Sequence, residues 1–329
     1  MSDAFNVPQG LETEEEWNSV KTYLRPVMIS FKECENVLLE DCLFQNSPCW
    51  NIHPLMCKNV IINNVTVRNP WYSQNGDGLD VDSCENVLVI NSSFDVGDDA
   101  ICIKSGKDED GRRRARPCRN LIVDNCIVFH GHGGFVVGSE MSGGVENIKV
   151  SDCRFLGTDV GLRFKSCRGR GGVVRNIYIN DIVMMNIPTE PLLFDLHYGG
   201  KSAVEAAAEG ASPFDVAYVE ADETTPQFRD IYIKDVVCSG AARAMYFNGI
   251  PEKNIENIVV ENCEIVSDKG ADLRYSTGVV LKDVRIMQSV GEGFSVANCK
   301  DVVIEDCEDA AGNELPQVFQ YNSDNVIIK

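Results

Sequence analysis

At 329 residues, 44% hydrophobic and 24% charged, the chain is long enough for two ordinary domains or one elongated repeat domain. Its formal net charge of −20 argues against a nucleic-acid or anionic-membrane partner, because counterion release needs a basic face. No run of about 18 apolar residues is present to span a membrane.

The first residues, MSDAFNVPQGLETEEEW, hold neither a basic n-region nor an apolar h-region, so a cytoplasmic protein is expected unless a leader has been removed. Residues 1–24 read as a separate N-terminal segment that can cap the rest of the chain, and 25–329 as one repetitive domain. Fourteen cysteines without CxxC or zinc spacing read as small buried hydrophobes.

From Cys34 a phrase recurs along the chain: CENVLLEDC, then CKNVIINNV from Cys57, CENVLVINS from Cys84 and CRNLIVDNC from Cys118. It continues as VENIKVSDC, VRNIYINDI, FRDIYIKDV, IENIVVENC and CKDVVIEDC, and ends in a short copy at Asp324. Each copy is Asn or Asp, alternating β-branched residues and a polar turn, which describes a short half-buried strand. The period is too short for a helical crossover with its loops. The fold class expected is all-β, a right-handed parallel β-helix, with about three short strands per coil. The recurrent Asn and Cys would stack in internal ladders. The long interval from Asn176 to Asp230 is expected to hold two coils. Segments 106–119 and 201–227 read as inserted loops, the second with a helical turn around Ala203 to Glu209.

The chemistry-bearing residues fall into the same register. Asp77 lies in NGDG, and Asp98 and Asp99 follow in VGDDAICIKSG, with Asp98 21 residues after Asp77, close to one coil. GHGG then brings His132, and GLRFKS brings Arg163 and Lys165. Stacked coils would place three carboxylates, an imidazole and two cations on one face. Neighbouring carboxylates push their pKa values apart, so one can serve as acid and another as base. That division suits glycosidic hydrolysis, with about 6.5–9.5 Å between carboxyls in an inverting enzyme. Arg163 and Lys165, two apart on a strand, share a side and suit a substrate carboxylate. Their removal is expected to weaken binding with little effect on stability. Asp80 and Asp82 read as turn-supporting, and His53 and His197 as weaker functional choices than His132.

In this order and at these intervals, NGDG, GDD, GHGG and RFK resemble the signature blocks of the polygalacturonases, glycoside hydrolase family 28. The resemblance is strong over about residues 25 to 200. It implies Asp98 as general acid, Asp77 and Asp99 holding and activating water, and His132 supporting the acid. It further implies Arg163 and Lys165 on the galacturonate carboxylate, with Tyr198 of FDLHYGG beside them. WNIHP, GKDEDGRRR and GSEMSGG resemble the bacterial branch, in which exo-acting enzymes are common. Gly76 and Phe164 depart from the usual blocks without removing a charge.

The expected activity is cleavage of α-1,4-galacturonide linkages of pectin, polygalacturonate or its oligosaccharides, with no cofactor and no metal. The partner is then an acidic, galacturonate-containing glycan. Family members have further N-terminal coils, so the open end here is expected to be covered by residues 1–24 or by another copy of the chain. Two other readings stay open: a carbohydrate-binding β-helix without catalysis, and a calcium-dependent pectate lyase.

Overall fold

The structure is a computed structural model describing residues 13, 15, 16, 25–199 and 214–329. Most of the N-terminal segment 1–24 and the turn expected around Ala203 to Glu209 lie outside the described residues. From Ile29 to Ile328 the described chain winds into stacked coils whose strands pair only in parallel, each with its counterpart one coil on. The first coil has three short strands, Ile29–Lys32, Glu35–Glu40 and Leu43–Gln45, which pair with Ile52–Leu55, Lys58–Asn63 and Thr66–Arg68. Further along, the corners straighten and strands fuse, until Ile255–Arg274 and Ser276–Ala297 each run round a whole coil.

Alternation within each phrase explains the core. In Glu85–Ile90, Val87 and Val89 point inward and are buried, and they align with Val60 and Ile62 below and Leu121 and Val123 above. An aromatic column, Phe135, Phe164, Phe194 and Phe247, fills the interior behind the later coils. Phe164 and Phe194 stack at 4.5 Å with planes 4° apart. All fourteen cysteines are free thiols, and most are buried, as small hydrophobes should be.

The asparagine ladder is on the surface rather than inside. Asn36, Asn59, Asn86, Asn120, Asn147 and Asn176 take left-handed backbone at φ 56–60°, which asparagine tolerates better than other side-chain-bearing residues. Their amides bond from coil to coil at 3.0–3.3 Å, at exposed positions.

The interval from Asn176 to Asp230 holds one coil, not two. Val173–Ile187 pairs directly with Gln227–Ala241, so no strand can lie between them in the sheet, and residues 200–213 of the extra length lie outside the described residues. Segment 106–119 contains a helix, α1 (Asp108–Arg114), with acids in its first turn and arginines in its last, as the helix dipole favours.

Candidate active site

One face of the solenoid carries the expected residues. Its strands are Leu79–Asp82, Asp99–Lys104, Gly131–Gly138, Thr158–Lys165, Leu192–Asp195 and Arg243–Asn248. Register places Asp80, Cys102, Val136, Arg163, Leu193 and Tyr246 in one outward-facing row. Gly138 separates Lys165 from the Lys104 position in the next row. Cys102 and Val136 are fully buried yet stand apart from the hydrophobic core, so they form the floor of this face.

Asp77, Asp98 and Asp99 converge there, with carboxylate oxygens within 4.8 Å of one another. This is shorter than the spacing expected for a two-carboxylate inverting site. The cluster has three members, and two of them, Asp77 at 3% and Asp99 at 1% exposure, are buried. Asp98 is the accessible one. Its oxygens accept the Asp99 and Asn75 backbone N–H groups at 2.9 and 3.2 Å, and Oδ1 lies 3.1 Å from His132 Nδ1.

Asp99 is gripped from the far side. Lys165 Nζ donates to Oδ2 at 2.6 Å and Arg163 Nη1 to Oδ1 at 3.2 Å. Gly133, paired with Asp99, has no room for a side chain: a Cβ there would lie 2.4 Å from Val136 Cγ2 and 3.3 Å from Arg163 Cδ. Tyr198 covers the two cations, its ring 4.9 Å from Lys165 Nζ and 5.7 Å from Arg163 Cζ. All seven expected site residues thus come together. The cations bind Asp99 in this structure, which makes them part of the acid cluster.

The protonation pattern follows from these contacts. Burial, then the charges of Asp80, Asp98 and Asp99, push the Asp77 carboxyl well above the usual range. Burial also acts to raise Asp98, but the hydrogen bond and charge of His132, with Lys165 and the Asp99 N–H, outweigh it and hold Asp98 below the usual range. The bond to Asp98 raises His132 in turn, against its partial burial. Burial opposes the Lys165 charge, but Asp99 prevails and keeps the ammonium above the ordinary lysine range. An isolated proton on Asp98, as the acid role implies, is therefore not the state this geometry favours. With Asp98 lowered and His132 raised, the imidazole is the side of the pair that favours the proton.

Sequence reasoning missed a buried group beneath the cluster. Asp80 sits within a strand and is fully buried, so it supports no turn; burial pushes it up to about 7 despite Lys104 Nζ at 3.5 Å. Lys104 also reaches Glu140 at 3.1 Å and lies 4.9 Å from the Trp50 ring. The signal was present, since Lys104 lies in the same phrase as Asp98 and Asp99. Asp82 behaves as expected, its Oδ1 accepting the Gly106 N–H at 3.0 Å and the Ser83 hydroxyl at 2.7 Å. His197 is structural, with Nε2 2.9 Å from Gly249 O, and His53 is partly buried against Trp50. Arg168, Arg170 and Arg175 are each paired with an acid, Glu252, Asp108 and Glu146 respectively.

One face of the solenoid thus bears a carboxylate cluster, an imidazole and two cations. The model of glycosyl hydrolases family 28 matches residues 13–241. The chain belongs to that family, and its fold is the right-handed parallel β-helix.

Among its relatives is a probable polygalacturonase of Vitis vinifera, 28% identical over 244 residues, covering 74% of this chain and 47% of the relative. An exo-poly-alpha-D-galacturonosidase of Dickeya chrysanthemi is 27% identical over 252 residues, covering 76% and 39%. The crystal structure of a hyperthermoactive exopolygalacturonase from Thermotoga maritima superposes with a TM-score of 0.70 at 31% identity, covering 80% of this chain and 55% of that one. This chain spans less than half the length of those two sequence relatives.

Proposed function

We propose that this chain hydrolyses α-1,4-galacturonide linkages of polygalacturonate or its oligosaccharides, acting from a chain end. The observation that carries this reading is the convergence of Asp77, Asp98 and Asp99 against Arg163, Lys165 and Tyr198 on one face. The exo-acting relatives support the mode of attack.

In this reading the Asp98–His132 pair holds the catalytic proton. A bound sugar strips water from the pair, and a dry surrounding disfavours the charge-separated form. The proton then moves from Nδ1 to Oδ1, and Asp98 delivers it to the departing glycosidic oxygen. Asp99 and Asp77 orient the attacking water. Asp77, pushed toward its protonated form, donates a hydrogen bond to that water, and Asp99 is left as the base. In this reading both act through water rather than as nucleophiles, which leads to inversion. The Arg163 side chain stays partly exposed beyond its bond to Asp99, so the guanidinium keeps capacity for a uronate carboxylate.

Three close carboxylates also have the donor chemistry of a hard-cation site. Two cations already paired with Asp99 reduce their attraction for such an ion. The test is product analysis on polygalacturonate and galacturonate oligomers with and without chelator. Saturated small products released from chain ends in chelator support the proposal. An unsaturated, ultraviolet-absorbing product whose formation stops with chelation assigns a lyase instead.

A further inference from the structure

On the far side of His132 from the acid cluster lies a second cavity, about 560 Å³. That size is ordinary for a small-ligand site. Trp71, Tyr72, Gln74, His130, His132 and Asp159 line it, together with three glycines that keep its floor low. It is built by the turns before Leu79–Asp82 and Asp99–Lys104 and by the beginnings of Gly131–Gly138 and Thr158–Lys165, in four successive coils. His132 is shared between the two sites: its Nδ1 faces Asp98 and its Nε2 lies 3.9 Å from Asp159 Oδ2.

Two features specify the ligand. The first is an exposed aromatic pair. Trp71 is 74% exposed, and Tyr72 meets it edge-on at 5.6 Å and 84°, so the indole is braced while much of its surface remains open to solvent. Such a ring suits the apolar C–H face of a pyranose. The second is charge. Among the described residues no lysine or arginine lines the cavity; its ionisable groups are Asp159 and two histidines, His130 held by Asp95 at 2.7 Å and His132 by Asp98 at 3.1 Å. Carboxylates, imidazoles and an amide match sugar hydroxyls, whereas a uronate would meet Asp159 with both imidazoles already engaged by Asp95 and Asp98.

We propose that this cavity is a second carbohydrate site that takes a neutral pyranose, carried as a branch on the acidic backbone held in the main cleft. Identifying the backbone as galacturonan rests on the function proposed above; the neutral-sugar site itself does not.

The experiment is saturation-transfer NMR on the whole chain with methyl β-xylopyranoside as probe, repeated with Trp71→Ala and with sodium galacturonate as competitor. Saturable transfer to the sugar ring protons is expected, with a Kd of roughly millimolar order for so small a ligand. Trp71→Ala should abolish it and galacturonate should not displace it. In a second arm, kcat/KM on a galacturonan carrying single neutral-sugar branches should fall about tenfold in Trp71→Ala, while unbranched polygalacturonate is cut unchanged. Absence of transfer, equal transfer in the variant, or displacement by galacturonate overturns the site. Transfer confined to free glycoside, with no branch-dependent kinetic effect, overturns the branch assignment. If polygalacturonate is not cleaved at all while transfer persists, the proposed reaction fails and the neutral-sugar site stands.

Discussion

Lys165 Nζ and Asp99 Oδ2 lie 2.6 Å apart, joining residues 66 positions distant in the chain within an almost fully buried ion pair. Lys165 is therefore more than a contact for substrate, because its removal strands the Asp99 charge in a low-dielectric floor. Lys165→Ala should lose about 3–5 kcal/mol of stability as well as activity, the cost of breaking a buried pair. Thermal and denaturant unfolding check this. Unchanged stability would mean that Asp99 is solvated without its partner. Arg163→Ala, at a more open position, should mainly raise KM for acidic substrate and leave the melting temperature close to that of the parent.

Asp98→Asn keeps shape and removes the deliverable proton. The expected loss in kcat is about 10²–10⁴-fold, the usual contribution of a general acid, with unfolding curves that overlay those of the parent. Rates near the parent value would reassign the acid.

The shared proton sets the pH dependence. His132 is raised above its ordinary value, so the pair remains protonated to higher pH than a free imidazole would. Activity should be present below that raised pKa and fall as pH rises through it. His132→Asn should remove this reserve and move the alkaline limb of kcat/KM downward in pH. A limb unmoved by the substitution would show that the proton comes from elsewhere.

Asp80 gives a stability prediction of opposite sense to an ordinary ion pair. Its folded pKa of about 7 exceeds the unfolded value near 3.9. Between these values the folded protein binds more protons, so stability falls as pH rises through that window and stays reduced above it. Asp80→Asn should flatten this decline and melt no lower than the parent near pH 8. A sharply lower melting temperature would mean that the Lys104 contact outweighs the burial cost.

Behind the cleft, Phe164→Ala removes a ring stacked on Phe194 in the aromatic column, at an expected cost of about 3–5 kcal/mol. Urea titration measures it. Chemistry in any folded fraction should be retained, since Phe164 faces away from the substrate.

Much of this architecture is legible in the chain because a coil repeats its own pattern. The phrase around Asn86 carries its turn, its two buried valines and its neighbours' register in nine residues. The acid cluster was legible for the same reason: Asp77 and Asp98 lie one coil apart. Periodicity does not say how much length an insertion takes up, so on sequence alone the interval from Asn176 to Asp230 is expected to hold a second coil even though 201–227 reads as an inserted loop. It also does not distinguish a cleft floor from a core, and so Cys102 resembled other buried cysteines and Asp80 a turn residue. The protonation of Asp98 was hidden for a different reason, since it depends on a 3.1 Å contact with His132 and not on spacing.

The most direct measurement is the initial rate of reducing-end release from polygalacturonate in chelator, for the parent chain and Asp98→Asn side by side. Steady release by the parent and a loss of at least about a hundredfold in a folded variant are expected if Asp98 delivers the proton. Equal rates for the two proteins, or no release by a folded parent chain, would contradict that role.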